Sequence, residues 1–359
     1  MARTDRTAAI SRSERPRAVK IHELFLGYAC DEKCLFCSQE TAWRRQPAVA
    51  FADVARDVYL AFQRGCRILA LNGGEPTLHK DILKIVALAR KAGYEEVHIQ
   101  TNGLRLAEPA FAASMADAGL TLARFSIHGH SDALHDAQVK VPGALRRARA
   151  AIEGLRVKGV SVGINTVVNQ ANAAALPAFY AHFLDDVGLT DFGLIFPLYE
   201  GDMAVNEDAM RVRLAEAAPH IRAAFEVFRT RGAEPPMLLN FPPCALPGYE
   251  GRLLRWSDRG AALYDAARGT VIDPGRYELR QPDGRSKGLD EASREGKVKL
   301  PGCARCVYDD RCLGYERKYV SRFGDAEFVP LAAVPEPFDA RWVVDRSAWR
   351  RVLPAGETA

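Results

Sequence analysis

The sequence predicts an α/β fold in which a parallel sheet is followed by a small metal-binding unit. Two observations lead to this prediction. From residue 21 to about residue 197, six short apolar runs alternate with amphipathic stretches, which is typical of βα units around a parallel sheet. Seven of the eight cysteines then fall into two groups, one early in the chain and one late. A length of 359 residues suits one large domain or two smaller ones.

Each element is predicted from its apolar pattern. The expected strands are Ile21–Leu26, Ile68–Leu71, Val97–Gln100, Leu122–Ile127, Val160–Val168 and Phe192–Phe196. The expected helices are Ala52–Arg64, Asp81–Ala92, Ala107–Ala118, Gly143–Val157 and Leu176–Val187. Six units are too few to close an eight-fold barrel. Ligands of such sheets bind at the carboxyl ends of the strands, so polar residues there are the candidate site residues.

The pattern changes after residue 197. Glu207–Arg231 is predicted as one long helix, the prolines between residues 235 and 243 as rigid turns, and residues 250–300 as irregular loops or a small hairpin. The last 30 residues, with Trp342 and Trp349, are too apolar for a free tail and are expected to pack back on the barrel. The expected division is a flexible basic N-terminus (1–20), a core (21–200), a helix and linker region that contributes Cys244 (201–300), a cysteine-containing domain (301–330) and a packed tail (331–359).

Composition excludes several classes of partner. The net charge is only +4, and no basic run carries interleaved aromatic residues, so we expect no nucleic-acid partner. No stretch approaches about 18 consecutive apolar residues, so we expect no membrane span. The Arg-rich first 20 residues lack the apolar centre of a signal peptide. We therefore expect a cytoplasmic protein, whose cysteines are metal ligands rather than disulfides.

The first cysteine group has the spacing C-x-x-x-C-x-x-C. It comprises Cys30, Cys34 and Cys37, directly after the first predicted strand. Three thiolates on one loop can hold three corners of a [4Fe–4S] cluster and leave the fourth iron open. The alternatives are a zinc loop or buried thiols, although zinc sites usually use C-x-x-C pairs with a fourth ligand close by.

A glycine-rich turn follows the second predicted strand. Gly73 and Gly74 would let a ligand approach the backbone closely, and the Glu75 carboxylate beside them can accept a hydrogen bond from an ammonium group. Such a turn alone is usually just a loop. About 40 residues after a C-x-x-x-C-x-x-C loop it is specific.

Together, the two motifs resemble the radical S-adenosylmethionine (radical SAM) superfamily over roughly residues 20–200. The resemblance implies a partial (β/α)6 TIM-like barrel and cleavage of S-adenosylmethionine to a 5′-deoxyadenosyl radical, which abstracts a substrate hydrogen. It assigns Cys30, Cys34 and Cys37 to the catalytic [4Fe–4S] cluster. It further implies that Gly73, Gly74 and Glu75 contact the methionyl amine and that Phe36 packs against adenine.

Other strand ends carry further candidates. The resemblance implies that Asn102, Ser126 and Asn165 contact the ribose hydroxyls and the methionyl carboxylate, although Asn102 also fits a plain Asn-Gly turn. His128 and His130 are candidates for substrate contact or for structural hydrogen bonds. Cys66, without a neighbouring cysteine in sequence, is predicted to be a buried, inert thiol.

The second cysteine group is Cys303, Cys306 and Cys312, with Cys244 upstream. In isolation this set would favour structural zinc. Attached to a radical SAM core, it favours one auxiliary [4Fe–4S] cluster, because the segment resembles the SPASM or twitch extension of that superfamily. The SPASM pattern places a fourth cysteine where this chain has Glu316. Ligation by four cysteines argues for electron transfer or structural support rather than substrate ligation.

The resulting hypothesis is a radical SAM enzyme, an oxidoreductase that uses an external reductant of the flavodoxin or ferredoxin type. Oxidation or C–H functionalisation of a small molecule is favoured, because the first predicted strand leaves no room for a leader-binding domain before it. Cross-linking or epimerisation of a ribosomally made peptide is the alternative. A non-catalytic metal-binding protein is the third hypothesis, and the Gly-Gly-Glu-Pro turn argues against it.

Overall fold

A computed structural model describes residues 18–253, 263–265, 270–272, 278–280, 286–288, 296–309 and 312–339. Seven parallel strands in sequence order form a curled half-barrel, with the helices on its outer side. The strands are β1 (Ala18–Phe25), β2 (Cys66–Asn72), β3 (Glu96–Thr101), β4 (Leu122–Ser126), β5 (Ser161–Val167), β6 (Phe192–Ile195) and β7 (Met237–Leu239). The α/β partial barrel predicted from the sequence is thus confirmed.

Alternation along each strand separates the helix-facing core from the barrel interior. In β1, Leu24 is fully buried, while Glu23 and Phe25 line a cavity inside the barrel. β2 pairs with β1 and β3 along its length, and Leu71 lies in register with Leu24 on one side and Ile99 on the other. The polar residues of the sheet therefore concentrate on its concave side.

The helices bury apolar stripes against the outer side of this sheet. In α2, for example, Ile85, Val86 and Ala89 are fully buried at helical spacing. The other helices follow the same order as in the sequence. They are α1 (Phe51–Gln63), α2 (Ile82–Ala92), α3 (Pro109–Ala118), α4 (Asp132–Val139), α5 (Ala144–Val157), α6 (Leu176–Ala181, continued as a π-helix over His182–Asp186), α7 (Gly201–Val205), α8 (Glu207–Met210), α9 (Leu214–Arg231) and α10 (Arg317–Phe323).

Three elements differ from the sequence prediction. Residues 237–239, predicted within a run of rigid turns, form the seventh strand, parallel to β6. Residues 132–139 form α4, which was not predicted. The predicted long helix from Glu207 is two helices, because the backbone is extended at Arg211 and Arg213.

Short strands complete the fold at both ends of the sheet. β9 (Thr270–Ile272) and β10 (Glu278–Arg280) each pair in parallel with β1, and each forms an antiparallel pair with β8 (Leu263–Asp265) or β11 (Ser286–Gly288). β12 (Lys297–Val298) and β13 (Tyr315–Glu316) form a separate antiparallel pair before α10. The predicted loops or hairpin of residues 250–300 lie largely outside the described residues, as do the basic N-terminus and Trp342 and Trp349 of the tail.

The described start of the tail packs on the body of the protein. The Phe338 backbone N–H donates to the Gly248 carbonyl at 2.8 Å. The Phe338 ring stacks on Tyr249 with 4.7 Å between ring centroids. Among the described residues, no helix is long and apolar enough to cross a membrane.

Candidate active site

A cavity of about 1060 Å³ occupies the concave side of the half-barrel. All seven parallel strands contribute to its wall, through Phe25, Asn72, Gln100, Ser126, Asn165, Ile195 and Leu239. The first cysteine loop lies at the carboxyl ends of the strands, and β12, β13 and the start of α10 border another side. The cavity therefore lies where ligands bind in sheets of this type.

The first cysteine loop directs its three thiols at this cavity. Cys30, Cys34 and Cys37 all line it, and all are free thiols. The loop is anchored to the end of α4 by backbone hydrogen bonds of 2.9 Å from Lys33 and Leu35 to the carbonyls of Val139 and Gln138. The unpredicted helix α4 thus fixes one side of the candidate cluster site.

The glycine-rich turn packs directly against the backbone of the cysteine loop. The Gly74 N–H donates to the Gly27 carbonyl and the Glu75 N–H to the Ala29 carbonyl, both at 2.7 Å. A Cβ atom on Gly73 would lie 2.6 Å from the Gly27 oxygen, and one on Gly74 would lie 2.3 Å from the Tyr28 oxygen. The sequence argument assigned these glycines to ligand approach. In the structure, both also line the cavity, but backbone contact with the cysteine loop already excludes any side chain.

Glu75 lies behind the cavity wall and is occupied by the protein itself. Its Oε1 accepts hydrogen bonds from the Thr77 N–H (3.0 Å), the Thr77 hydroxyl (2.6 Å) and the Thr101 hydroxyl (2.9 Å). Its Oε2 accepts from the Asn102 N–H at 2.7 Å. Burial raises the pKa of Glu75, although these four hydrogen bonds oppose that shift. Glu75 therefore ties the ends of β2 and β3 together, and its predicted contact with a methionyl amine stays a prediction.

Burial keeps the three thiols in their protonated form when no metal is bound. It raises the pKa of Cys30 to about 12 and that of Cys34 further, where the Glu32 carboxylate and the other two thiols add to the shift. The Cys34 thiol donates to Glu32 Oε2 at 3.3 Å. A positively charged metal centre would reverse this preference by favouring thiolates. Soft thiolate donors facing one cavity fit an iron–sulfur cluster with three protein ligands.

Ser126 and Asn165 are neighbours in register on β4 and β5, and both line the cavity. A Cβ on the next strand at Gly193 would lie 2.4 Å from Asn165 Oδ1, so that glycine leaves room for the amide. Asn102 also lines the cavity, but its Nδ2 donates to Asp31 Oδ1 at 2.7 Å. The three predicted polar residues are thus on one wall, and their contacts with S-adenosylmethionine stay predictions.

The two histidines lie in different places. His128 is buried and lines the cavity, where it meets Phe36 edge-on at 4.2 Å between ring centroids. Its Nδ1 accepts from the Val167 N–H at 3.1 Å, and burial lowers its pKa well below the usual range, so the ring is neutral. His130 is not among the described residues that line the cavity. It lies beside His182, with 6.4 Å between ring centroids, which does not favour its predicted contact with substrate.

The second cysteine group converges although Cys244 lies 59 residues before Cys303. All four thiols border one small cavity: Cys244, Cys303, Cys306 and Cys312. The Tyr315 hydroxyl lies 2.9 Å from Cys244 Sγ. The backbone N–H groups of Leu300 and Gly314 donate to the sulfurs of Cys303 (3.3 Å) and Cys312 (3.2 Å). Hydrogen bonds to ligand sulfurs are usual in iron–sulfur sites, so this set fits a cluster.

In the described part of the chain, no group of three or more His, Cys, Asp or Glu side chains is arranged to hold a single metal ion. Glu316, which stands where the SPASM pattern has a cysteine, caps α10 instead: its Oε2 accepts from the Tyr319 N–H at 2.8 Å.

The two cysteine groups adjoin the same cavity. Cys312, Tyr308 and Pro243 line both the small cavity of the second group and the large cavity that contains Cys30, Cys34 and Cys37. A ligand in the large cavity would therefore contact the loops of both groups. This adjacency is the main geometric fact that the sequence could not show.

Sequence reasoning missed several residues of the cavity wall. Glu23 and Lys297 lie on it, as do Trp43 and Arg44 of the segment that follows the first cysteine loop. For Glu23 a signal existed, since a charged residue inside the apolar run Ile21–Leu26 has to face something polar or empty. Lys297 had no such signal, because it lies in a charged region far along the chain.

Comparison with known proteins places the barrel in a family. Residues 24–170 match the model of the Radical SAM superfamily. A probable GTP 3′,8-cyclase of Saccharolobus solfataricus is 31% identical over 188 residues, which cover 51% of this chain and 59% of that protein. A probable GTP 3′,8-cyclase of Sulfolobus acidocaldarius is 29% identical over 155 residues, which cover 43% and 49%. The match thus spans only about half to three fifths of these curated relatives.

Solved structures with the same fold extend over more of the chain. Streptococcus suis SuiB bound to precursor peptide SuiA has a TM-score of 0.62 at 14% identity, covering 89% of this chain and 76% of SuiB. The enzyme anSMEcpe with bound AdoMet has a TM-score of 0.55 at 16% identity, covering 86% and 82%. At these identities the likeness concerns the fold alone.

Proposed function

Because residues 24–170 form a radical SAM domain, we propose that the protein is an enzyme that cleaves S-adenosylmethionine reductively and abstracts a hydrogen atom from a substrate in the barrel. One observation carries the proposal. Three thiols of a C-x-x-x-C-x-x-C loop and a Gly-Gly-Glu-Pro turn meet at one end of a large cavity, and four further thiols adjoin that cavity.

The residues present suit both metal groups. Cys30, Cys34 and Cys37 would hold a [4Fe–4S] cluster which, with S-adenosylmethionine on its open iron, supplies a 5′-deoxyadenosyl radical for hydrogen abstraction. Cys244, Cys303, Cys306 and Cys312 would hold an auxiliary [4Fe–4S] cluster, which supplies an electron acceptor beside the substrate. An external one-electron reductant belongs to the proposal as well.

The chain's own residues bind, orient and enclose. The walls of β1 to β7 separate a bound substrate from water on the convex side, which limits side reactions of a radical. Asn102, Ser126 and Asn165 offer hydrogen bonds to the polar groups of S-adenosylmethionine. His128 stays neutral and offers its Nε2 toward the cavity interior, since that atom has no hydrogen-bond partner in the described structure.

Oxidation or C–H functionalisation of a small molecule is the favoured reaction. The cavity volume is near the upper end of the usual range of about 300–1,000 Å³ for small-molecule sites, and S-adenosylmethionine would take part of it. The relatives matched in sequence are named for a nucleotide substrate. Modification of a peptide is the second candidate, because SuiB, whose fold extends over 89% of this chain, was solved with a precursor peptide.

Anaerobic reconstitution tests the proposal. The protein should bind about eight iron and eight sulfide, for two four-iron sites, and should release 5′-deoxyadenosine in the presence of a reductant. Replacing Cys30, Cys34 and Cys37 with Ala should remove about half of the iron and all 5′-deoxyadenosine formation. The control Cys66→Ala changes a buried thiol in β2, outside both groups, and should preserve both. Iron-replete protein that forms no 5′-deoxyadenosine would refute the proposal, and stoichiometric zinc with only four iron would convert the second group to a zinc site.

A further inference from the structure

Glu23 places a carboxylate inside the barrel, deeper than the cysteine loop. It lies in β1, in register with Ala70 of β2 and Leu279 of β10, and its side chain lines the large cavity. The strand ends at Phe25, and the first cysteine follows at position 30. At about 3.3 Å per residue, Glu23 is roughly 10 Å below Leu26, where the chain leaves the sheet.

This carboxylate has no partner within the described structure. Among the described residues, neither a backbone N–H nor a side chain donates to it, and no Lys, Arg or His forms an ion pair with it. Two cations of the surrounding wall are already engaged: Arg124 pairs with Asp191 at 2.6 Å and Arg44 with Asp202 at 3.5 Å. Burial raises the pKa of Glu23 to about 8, as expected for a carboxyl group that lacks both water and a cation.

An aromatic wall begins beside Glu23. Phe25, two residues further on the same face of β1, contacts Tyr28 at 4.9 Å between ring centroids, and Tyr28 contacts Trp43 at 5.3 Å. All three rings line the same cavity as Glu23. Aromatic faces attract cations, and a buried carboxylate is stabilised by a charged donor.

We propose that Glu23 binds a positively charged nitrogen of the substrate, an ammonium or guanidinium group attached to an apolar or aromatic body. The inference rests on the proposed function and narrows its substrate class. Such a nitrogen would restore a partner to Glu23, while the body of the molecule would pack along Phe25, Tyr28 and Trp43. A free amine and a lysine or arginine side chain of a peptide share this chemistry.

Calorimetry on the reconstituted protein tests the inference with three probes of equal shape: benzylammonium, benzyl alcohol and benzoate. The wild type should bind benzylammonium at least about 10-fold more tightly than benzyl alcohol, and should bind benzoate least. Glu23→Gln should abolish this preference. The matched control is Glu200→Gln, which removes a charge from the same cavity where Glu200 is already paired with Lys318 at 3.1 Å, and should preserve it.

Several outcomes would overturn the inference: equal affinity of the wild type for amine and alcohol, a preference that survives in Glu23→Gln, or no binding of any probe. A 10-fold loss of S-adenosylmethionine affinity in Glu23→Gln would assign the carboxylate to that ammonium group instead. Tighter binding of acetyl-Gly-Lys-Gly-amide than of benzylammonium would identify a peptide as the source of the nitrogen, and the reverse a free amine.

Formation of 5′-deoxyadenosine in the same batches separates this inference from the proposed function. Cleavage of S-adenosylmethionine without a preference for cations refutes only the role of Glu23. Iron-replete protein without cleavage refutes the proposed function, whatever the probes show.

Discussion

Gly74 lies where any side chain would collide with the cysteine loop. A Cβ there would be 2.3 Å from the Tyr28 oxygen and 2.4 Å from the Ala29 oxygen, both backbone atoms that cannot rotate away. We expect Gly74→Ala to displace the loop and remove about half of the iron, leaving the auxiliary site intact. Iron and sulfide analysis measures the loss, and circular dichroism should show unchanged helix content.

The control for this prediction is Gly154→Ala. Gly154 lies in α5, and a Cβ at that position would meet only Ala112 Cβ, at 4.0 Å. This substitution should preserve the iron content and increase the free energy of unfolding by about 0.5–1 kcal/mol, because Ala favours the helix. A Gly74→Ala protein with full iron and normal cleavage of S-adenosylmethionine would contradict the backbone contact described for the loop.

Glu75→Gln should destabilise the fold whether or not Glu75 binds a ligand. Both carboxylate oxygens accept hydrogen bonds from buried groups, so the amide NH₂ of Gln must face a donor in either orientation. We expect the free energy of unfolding in urea to fall by about 1–3 kcal/mol. The exposed Glu153→Gln should change it by less than about 0.5 kcal/mol.

Calorimetry with S-adenosylmethionine then separates the two roles of Glu75. A loss of at least about 10-fold in affinity, beyond the loss of stability, supports the predicted contact with the methionyl amine. Unchanged affinity would restrict Glu75 to positioning the strand ends. An unchanged free energy of unfolding would contradict the hydrogen bonds themselves.

These residues also mark what the sequence could predict about the site. The cysteine loop and the glycine turn are local patterns, so fixed spacing was enough to find them. The partners of Glu75 come from Thr77 on its own turn and from Thr101 and Asn102 on the next strand, and only folding brings β2 and β3 together. Glu23 and Lys297 were missed for the same reason, since neither belongs to a short motif.

At the scale of elements, β7 is the strand that the sequence analysis missed and the cavity needs. It has only three residues, Met237–Leu239, in a segment with prolines on both sides. Such a run is too short to show an alternating pattern. Its Leu238 is nevertheless fully buried, whereas Leu239 is half-buried and lines the cavity.

This difference gives a prediction for the seventh strand. Leu238→Ala should lower the free energy of unfolding by about 2–5 kcal/mol, the usual range for a fully buried leucine. Leu239→Ala should cost less, because its side chain already borders empty space. Urea denaturation of both variants measures the difference. Equal losses, or a negligible loss for Leu238→Ala, would argue against the strand as described.

The break between α8 and α9 had no local signal either. The segment Arg211-Val212-Arg213 contains neither Gly nor Pro, so its composition favoured one continuous helix. In the structure, the first N–H groups of α9 are satisfied from far along the chain. The Leu214 N–H donates to the Tyr319 hydroxyl and the Ala215 N–H to Glu327 Oε2, both at 2.8 Å. By contrast, the six βα units were predictable because each carries its own long apolar pattern.

At the scale of the whole molecule, the barrel brings four distant segments to one cavity. The cysteine loop near residue 34, the turn at residues 73–75, Cys244 after β7 and the loop of Cys303 to Cys312 each lie at its border. Cys312 borders both cavities, so the second group is beside the place where a substrate would react. This arrangement suits an electron acceptor better than a remote structural staple, and it can be tested by removing that group alone.

The two cysteine groups should therefore perform separable steps. A Cys303→Ala, Cys306→Ala variant should retain about four iron and still cleave S-adenosylmethionine to 5′-deoxyadenosine, because Cys30, Cys34 and Cys37 are untouched. It should fail to convert the substrate, or should return it with a hydrogen exchanged from solvent, because the substrate radical has lost its acceptor. Since ligation of a cluster can itself stabilise a small domain, circular dichroism and iron content have to be measured first.

If that variant unfolds, Tyr315→Phe tests the same role more gently. It removes the hydroxyl 2.9 Å from Cys244 Sγ and leaves all four thiols in place. Hydrogen bonds to ligand sulfurs help to set the potential of a cluster, so Tyr315→Phe should shift the potential of the second site and slow substrate turnover. Cleavage of S-adenosylmethionine should stay at the wild-type rate. Normal product at the normal rate, in a folded protein without the second cluster, would instead make that site structural and would favour redox-neutral chemistry such as epimerisation over oxidation.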